Sequence, residues 1–206
     1  MNKFSIFSAT NFYKMMKTVH SYWAYLVLIV LILTVVNAIV GLIKKKKFSN
    51  KDLRLGLFTL IFSHIQLLIG LGWYFSSPYY NALKTNASEV MGDTAARLLA
   101  VEHPIMMILA IVFITIGWSK HKKKTEDAGK FKTFVIFYGI GLLLILSKIP
   151  WNQLNNMNAY PSWKYIIVVI VLVASFVYSL PNFYNSYPAI EIKSNVDTLN
   201  KNNISK

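Results

Sequence analysis

What most constrains this chain is a series of apolar blocks, each about as long as a membrane-crossing helix, separated by lysine clusters or turns. A helix rises about 1.5 Å per residue, so roughly 20 apolar residues cover the hydrocarbon core of a bilayer. Five blocks reach that length: residues 22–43, 55–75, 94–118, 131–150 and 161–181. Aromatic residues such as Trp73, Tyr74, Trp118 and Trp151 stand at their ends, where amphipathic rings anchor at a membrane interface. Apolar residues make up 55% of the chain. They are gathered in blocks rather than laid out as stripes, which argues against an ordinary soluble fold. The expectation is an all-α integral membrane protein, with an antiparallel four-helix transmembrane bundle and a peripheral fifth transmembrane helix.

The formal net charge is +14, a balance that elsewhere suggests nucleic acid. Here the cations flank apolar blocks, so membrane orientation explains them and no nucleic-acid partner is expected. Lys44, Lys45, Lys46, Lys47, Lys51 and Arg54 follow the first block, and Lys120, Lys122, Lys123, Lys124, Lys130 and Lys132 follow the third. The loops after the second and fourth blocks are nearly free of cations. The positive-inside rule then places the N-terminus outside and the C-terminus in the cytoplasm of a bacterial inner membrane. Residues 1–17 read as an external or interfacial segment that is retained, since the features of a cleaved signal are missing from it. Residues 18–151 read as the bundle, 152–181 as an external loop and the fifth helix, and 182–206 as a mostly disordered cytoplasmic tail. There is no cysteine, which excludes thiolate-held zinc, iron–sulfur clusters, disulfides and covalently attached haem.

Ionisable groups inside the blocks are costly and mark candidate sites. With the orientation above, His64 lies about 14 Å, His103 about 22 Å and Lys148 about 25 Å from the cytoplasmic edge. His20 falls near the external surface, and Arg97 and Glu102 share the outer end of the third block. Histidines on facing helices, without cysteine, suit haem b, whose iron takes axial imidazoles and whose propionates favour nearby cations. His64 and His103 are the favoured metal ligands, His20 is the competing one, and Arg97 and Lys148 are the propionate partners. Glycines 70, 72, 139 and 141 offer room for a flat macrocycle. Glu102 is a candidate proton relay, or else a partner for Arg97 or His103. The same histidines also suit plain hydrogen bonding between helices. His121, inside Lys120-His121-Lys122, reads as a solvated loop residue.

The stretches HSYWAYLVLIVLIL, LGLFTLIFSHIQLLIGLGWYF, VEHPIMMILAIVFITIGWSKHKK and KFKTFVIFYGIGLLLILSKIPW resemble, in this order, small bacterial four-helix membrane proteins labelled "cytochrome B". The resemblance covers about residues 17–151 and rests on His20, Ser63-His64, Glu102-His103-Pro104 and Lys148-Ile149-Pro150-Trp151. It implies b-type haem and electron transfer with a quinone or a redox partner. The fifth helix and the tail depart from that pattern and suit docking onto other membrane subunits. Two functions therefore compete. One is a haem-binding electron carrier; the other is a non-catalytic accessory subunit of a larger inner-membrane complex, whose histidines only join helices. Neither is a stand-alone enzyme. A proton or solute path ranks behind both, since no repeat or broken-helix pair supports it.

Overall fold

The structure is a computed structural model and describes residues 3–151. The fifth apolar block and the tail lie outside the described residues. Within them every regular element is helical: α1 (Lys3–Ile43), α2 (Asn50–Phe75), three short helices α3 (Pro78–Thr85), α4 (Ala87–Gly92) and α5 (Thr94–Arg97), a π-helical turn (Leu98–Glu102), α6 (His103–His121) and α7 (Asp127–Ser147). Four spans are long and apolar enough to cross a membrane: Asn11–Ile43, Asn50–Phe75, Thr94–His121 and Asp127–Ser147. The first helix begins at Lys3 rather than near residue 22, because nothing between the two positions breaks a helix. Its 33-residue span exceeds what the hydrocarbon core requires.

Local chemistry sets the ends. α1 stops at Ile43, where Lys45 takes a left-handed φ of 48° and the Lys46 and Lys45 amides bond back to Gly41 and Leu42. This is a Schellman closure with lysine in the position usually held by glycine. α2 opens with Asp52 accepting from the Ser49 backbone amide at 2.8 Å and from the Ser49 hydroxyl. Asp93 caps α5 by accepting the Ala96 amide at 2.6 Å, as expected of an acidic residue just before a helix.

α1 packs on α2 and α7, and α6 packs on α7 and α2. The core lies toward the end that carries the lysine clusters, hereafter the basic end. Leu31, Val35, Ala38, Ile114, Phe131, Phe134 and Tyr138 are buried there together. Two glycines make this packing possible. A Cβ on Gly41 would fall 2.6 Å from the Phe131 ring, and one on Gly56 2.6 Å from the Phe134 ring. The aromatic rings thus seat directly on the neighbouring backbone, as small residues allow between membrane helices. The Tyr138 hydroxyl, fully buried, donates to the Gly56 carbonyl at 3.0 Å.

His121 belongs to this core, contrary to the expectation of a solvated loop residue. α6 carries it past Trp118, and its ring packs between Phe48, Trp118 and Phe134 while Nδ1 donates to the Trp118 carbonyl at 2.5 Å. It is 2% exposed. The surrounding lysines are the solvated part of that motif.

Candidate functional site at the histidine end

The opposite end of the helices gathers the other ionisable groups, and a proline organises it. Pro104 has no amide hydrogen to give the carbonyl of Ala100 one turn earlier. The chain passes through the π-helical turn Leu98–Glu102 just before it, and the Tyr74 hydroxyl of α2 donates to that Ala100 carbonyl at 2.8 Å. The backbone irregularity and its interhelical partner therefore have one cause.

The turn also delivers Glu102 between two cations. Its carboxylate accepts from Arg97 Nε at 2.8 Å through one oxygen and from Lys148 Nζ at 2.8 Å through the other. These side chains are about one third exposed, as suits groups at an interface. Lys148 is tied a second time, since its carbonyl accepts from His103 Nδ1 at 2.8 Å. A carbonyl oxygen can only accept, so Nδ1 carries the proton and Nε2 of the neutral ring keeps a lone pair.

His20 of α1 faces His103, with ring centroids 6.3 Å apart and planes at 77°. It also packs on Trp73 at 5.3 Å. The Gln66 amide nitrogen donates to the His20 carbonyl at 3.0 Å and reaches His20 Nδ1 at 3.1 Å. The carbonyl contact fixes which end of the amide is nitrogen. Gln66 Oε1 consequently points the other way, buried and without a hydrogen-bond partner among the described residues. Ser63 Oγ, one helical turn earlier, is in the same condition, and Ser63 is only 1% exposed. Both side chains line a mainly apolar cavity of about 190 Å³ bounded by α1, α2, α6 and the last residues of α7.

The structure brings together His20, His103, Glu102, Arg97 and Lys148 of the residues singled out from sequence. It does not bring His64 to them. His64 follows buried Ser63 and so points about 100° away around the helix. It is exposed, with Nδ1 donating to its own Leu60 carbonyl at 2.8 Å and Nε2 standing 3.4 Å from Thr115 Oγ1. Thr115 lies twelve residues beyond His103 on the same helix, about 18 Å along its axis. The expected ligand pair His64 and His103 is therefore not formed. Among the described residues no group of three or more His, Cys, Asp or Glu side chains is arranged to hold a metal ion. The glycines expected to border a macrocycle are scattered: Gly70 abuts His20, Gly141 abuts Ile114, and Gly139 faces open space.

Gln66, Ser63, Trp73 and Tyr74 are the site residues that the search for ionisable groups passed over. A different signal holds the first two. Asp52, Thr59, Ser63 and Gln66 recur at spacings of 7, 4 and 3, which places them on one face of α2. That polar stripe runs through the interface with α1, where Thr34 and Thr59 share a 2.6 Å hydroxyl contact and Asn37 donates to Asp52 at 2.7 Å.

Comparison with known proteins draws on the other part of the chain. Residues 157–205 match the family described as the SecD export protein N-terminal TM region. Over 36 residues the chain is 47% identical to protein translocase subunit SecD of Salmonella choleraesuis (strain SC-B67) and of Pseudomonas aeruginosa, and 42% identical to that of Escherichia coli (strain K12). Each alignment takes in 18% of this chain and 6% of the relative, so the chain spans a small fraction of the curated relatives it matches. No solved structure matches. This likeness corrects the expectation of a b-type cytochrome that carries electrons through haem and exchanges them with a quinone, because the relatives found are export subunits. The chain is a membrane protein with several helices long enough to span, and over residues 157–205 it is similar to the N-terminal membrane region of SecD.

Proposed function

We propose that the protein is a non-catalytic accessory subunit of a protein-translocating complex in the bacterial inner membrane. The observation that carries this reading is the match of residues 157–205 to the SecD N-terminal membrane region. In this reading the four described spans form an antiparallel bundle that acts as a membrane scaffold. Residues 157–205 supply the span and tail that join it to the other subunits. The basic end faces the cytoplasm, where the lysines of residues 44–51 and 120–132 are retained.

The described residues support a scaffold through the work their polar groups do. Several of them join helices: Trp23 Nε1 to the Phe62 carbonyl at 3.0 Å, Thr34 to Thr59, Asn37 to Asp52, Gln66 to His20, Tyr138 to Gly56, and Glu102 to Lys148. Interhelical hydrogen bonds of this kind each contribute about 0.6 kcal/mol on average in a membrane.

The test is affinity purification of the tagged full chain from membranes in a mild detergent, beside a variant in which residues 161–181 are replaced by an unrelated apolar span of equal length. Translocase subunits recovered with the natural chain and lost with the variant are the expected result. A natural chain recovered free of partners after cross-linking in intact membranes overturns the reading.

A further inference from the structure

The fold gathers the lysines of the basic end into one patch. Two loops carry them, the α1–α2 loop with Lys44 to Lys47 and the α6–α7 loop with Lys122 to Lys124. Phe48 ties the loops together. Its ring packs on His121 at 6.1 Å and on Phe131 at 5.0 Å, and Lys130 Nζ lies over it at 5.5 Å. Residues 44–54 and 120–132 hold twelve Lys and Arg against three Asp and Glu. Of those three, Asp52 is buried and already accepts from Asn37 and Ser49. Among the described residues no carboxylate stands within 4.0 Å of any lysine in the patch, and the ion pairs of Glu102 lie at the opposite end. So large an excess of one sign repels itself, and an anion that enters it is favoured.

The level at which the ammonium groups are held selects the anion. Lys120 Nζ lies 5.1 Å from the Phe137 ring of α7, and Lys122 Nζ 4.9 Å from the Trp118 ring of α6. Both rings belong to membrane-length spans, and tryptophan near a span end marks the headgroup level. These lysines thus lay their stems along the helices and keep their heads where lipid phosphates sit. Each ammonium has three donors and no acceptor, which suits a phosphate. A zwitterionic headgroup would add its own cation to the cluster, whereas an anionic one would not. We propose that the basic end binds the headgroup of an anionic phospholipid in the adjoining leaflet, its phosphate held by Lys47, Lys122 and Lys130 around Phe48. The site is separate from residues 157–205 and does not depend on the translocase reading.

The experiment titrates the full chain, in a neutral detergent, with phosphatidylglycerol or phosphatidylcholine of the same acyl chains. Bound lipid is counted by native mass spectrometry. Phosphatidylglycerol should bind at least about tenfold more tightly, and the preference should shrink as ammonium acetate rises from about 50 to about 500 mM. Equal binding of the two lipids, or a preference that salt leaves unchanged, overturns the proposal. Lys122→Gln with Lys130→Gln should reduce the preference about fivefold or more, since one lysine at an anionic surface is worth about that factor. Lys14→Gln with Lys84→Gln, at the other end, should change it less than about twofold. Equal losses from the two pairs overturn the placement. Soluble glycerol phosphate that displaces the lipid at equal concentration, or an oligouridylate that binds as tightly, would identify a free anion or a nucleic acid instead and overturn the lipid assignment. The lipid and salt comparisons use the natural chain, so they decide the matter even if a variant fails to fold.

Discussion

The two ends of the helical assembly are built on opposite plans. At the basic end, aromatic rings rest on glycine backbones, and the buried hydroxyl of Tyr138 and carboxylate of Asp52 are both bonded. At the histidine end, the helices part around a cavity, and buried polar atoms such as Ser63 Oγ and Gln66 Oε1 are left without hydrogen-bond partners among the described residues. Close packing stabilises and leaves no room, whereas an open polar-lined space forgoes contact energy and can accept something. The basic end is therefore the closely packed part of the described residues, and the histidine end the open one.

Substitutions at the two ends should separate these roles. The largest effect is expected for Phe134→Ala, which empties the packed end and should cost about 3–5 kcal/mol, against less than half of that for Leu67→Ala, which only widens an existing cavity. Unfolding in mixed micelles by titration with dodecyl sulfate reads both, and equal losses would erase the contrast. Next comes a pair of glycines. Gly41→Ala forces a methyl into the Phe131 ring and should cost about 1–3 kcal/mol. Gly139→Ala meets nothing within 4 Å and should gain about 0.5–1 kcal/mol from helix propensity. A double-mutant cycle on Thr34→Val and Thr59→Val should return a coupling of about 0.6 kcal/mol, and a coupling of zero would remove this pair from the interhelical seam. The smallest change is expected for Ser63→Ala, within about 0.5 kcal/mol of the natural chain. A larger loss there would mean that the hydroxyl already has a strong partner.

Much of this was legible in the sequence, and the limits of legibility are physical. The apolar blocks gave the four described spans, because span length is a one-dimensional property. Asp93 as a cap and Glu102 as a partner of Arg97 were also readable, since both interactions are local. Rotation about the helix axis was not. His64 and Ser63 are neighbours in sequence, yet one points outward and the other into the core, and depth alone cannot tell them apart. The contact of His20 with Gln66 and His103 was not legible, because the block was started at residue 22 while the helix runs on from Lys3. His121 was misread because lysines on both sides suggest water, while the ring between them answers to Trp118 and Phe48. The polar stripe of Asp52, Thr59, Ser63 and Gln66 was present in the spacing. It stood hidden behind the more conspicuous histidines.

Lys148 lies three residues before the last described one, Trp151, and it is fastened twice, by its carbonyl to His103 and by its ammonium group to Glu102. Just beyond it, the Trp151 indole donates to the Leu146 carbonyl of α7 at 3.3 Å, so the fastenings of Lys148 are the ones that lead out of α7 to its neighbours. Force arriving along the backbone would load the Leu98–Glu102 turn, the least regular backbone among the spans, and with it the wall of the cavity. Lys148 thus ties the end of α7 to the turn and the histidine that border the cavity.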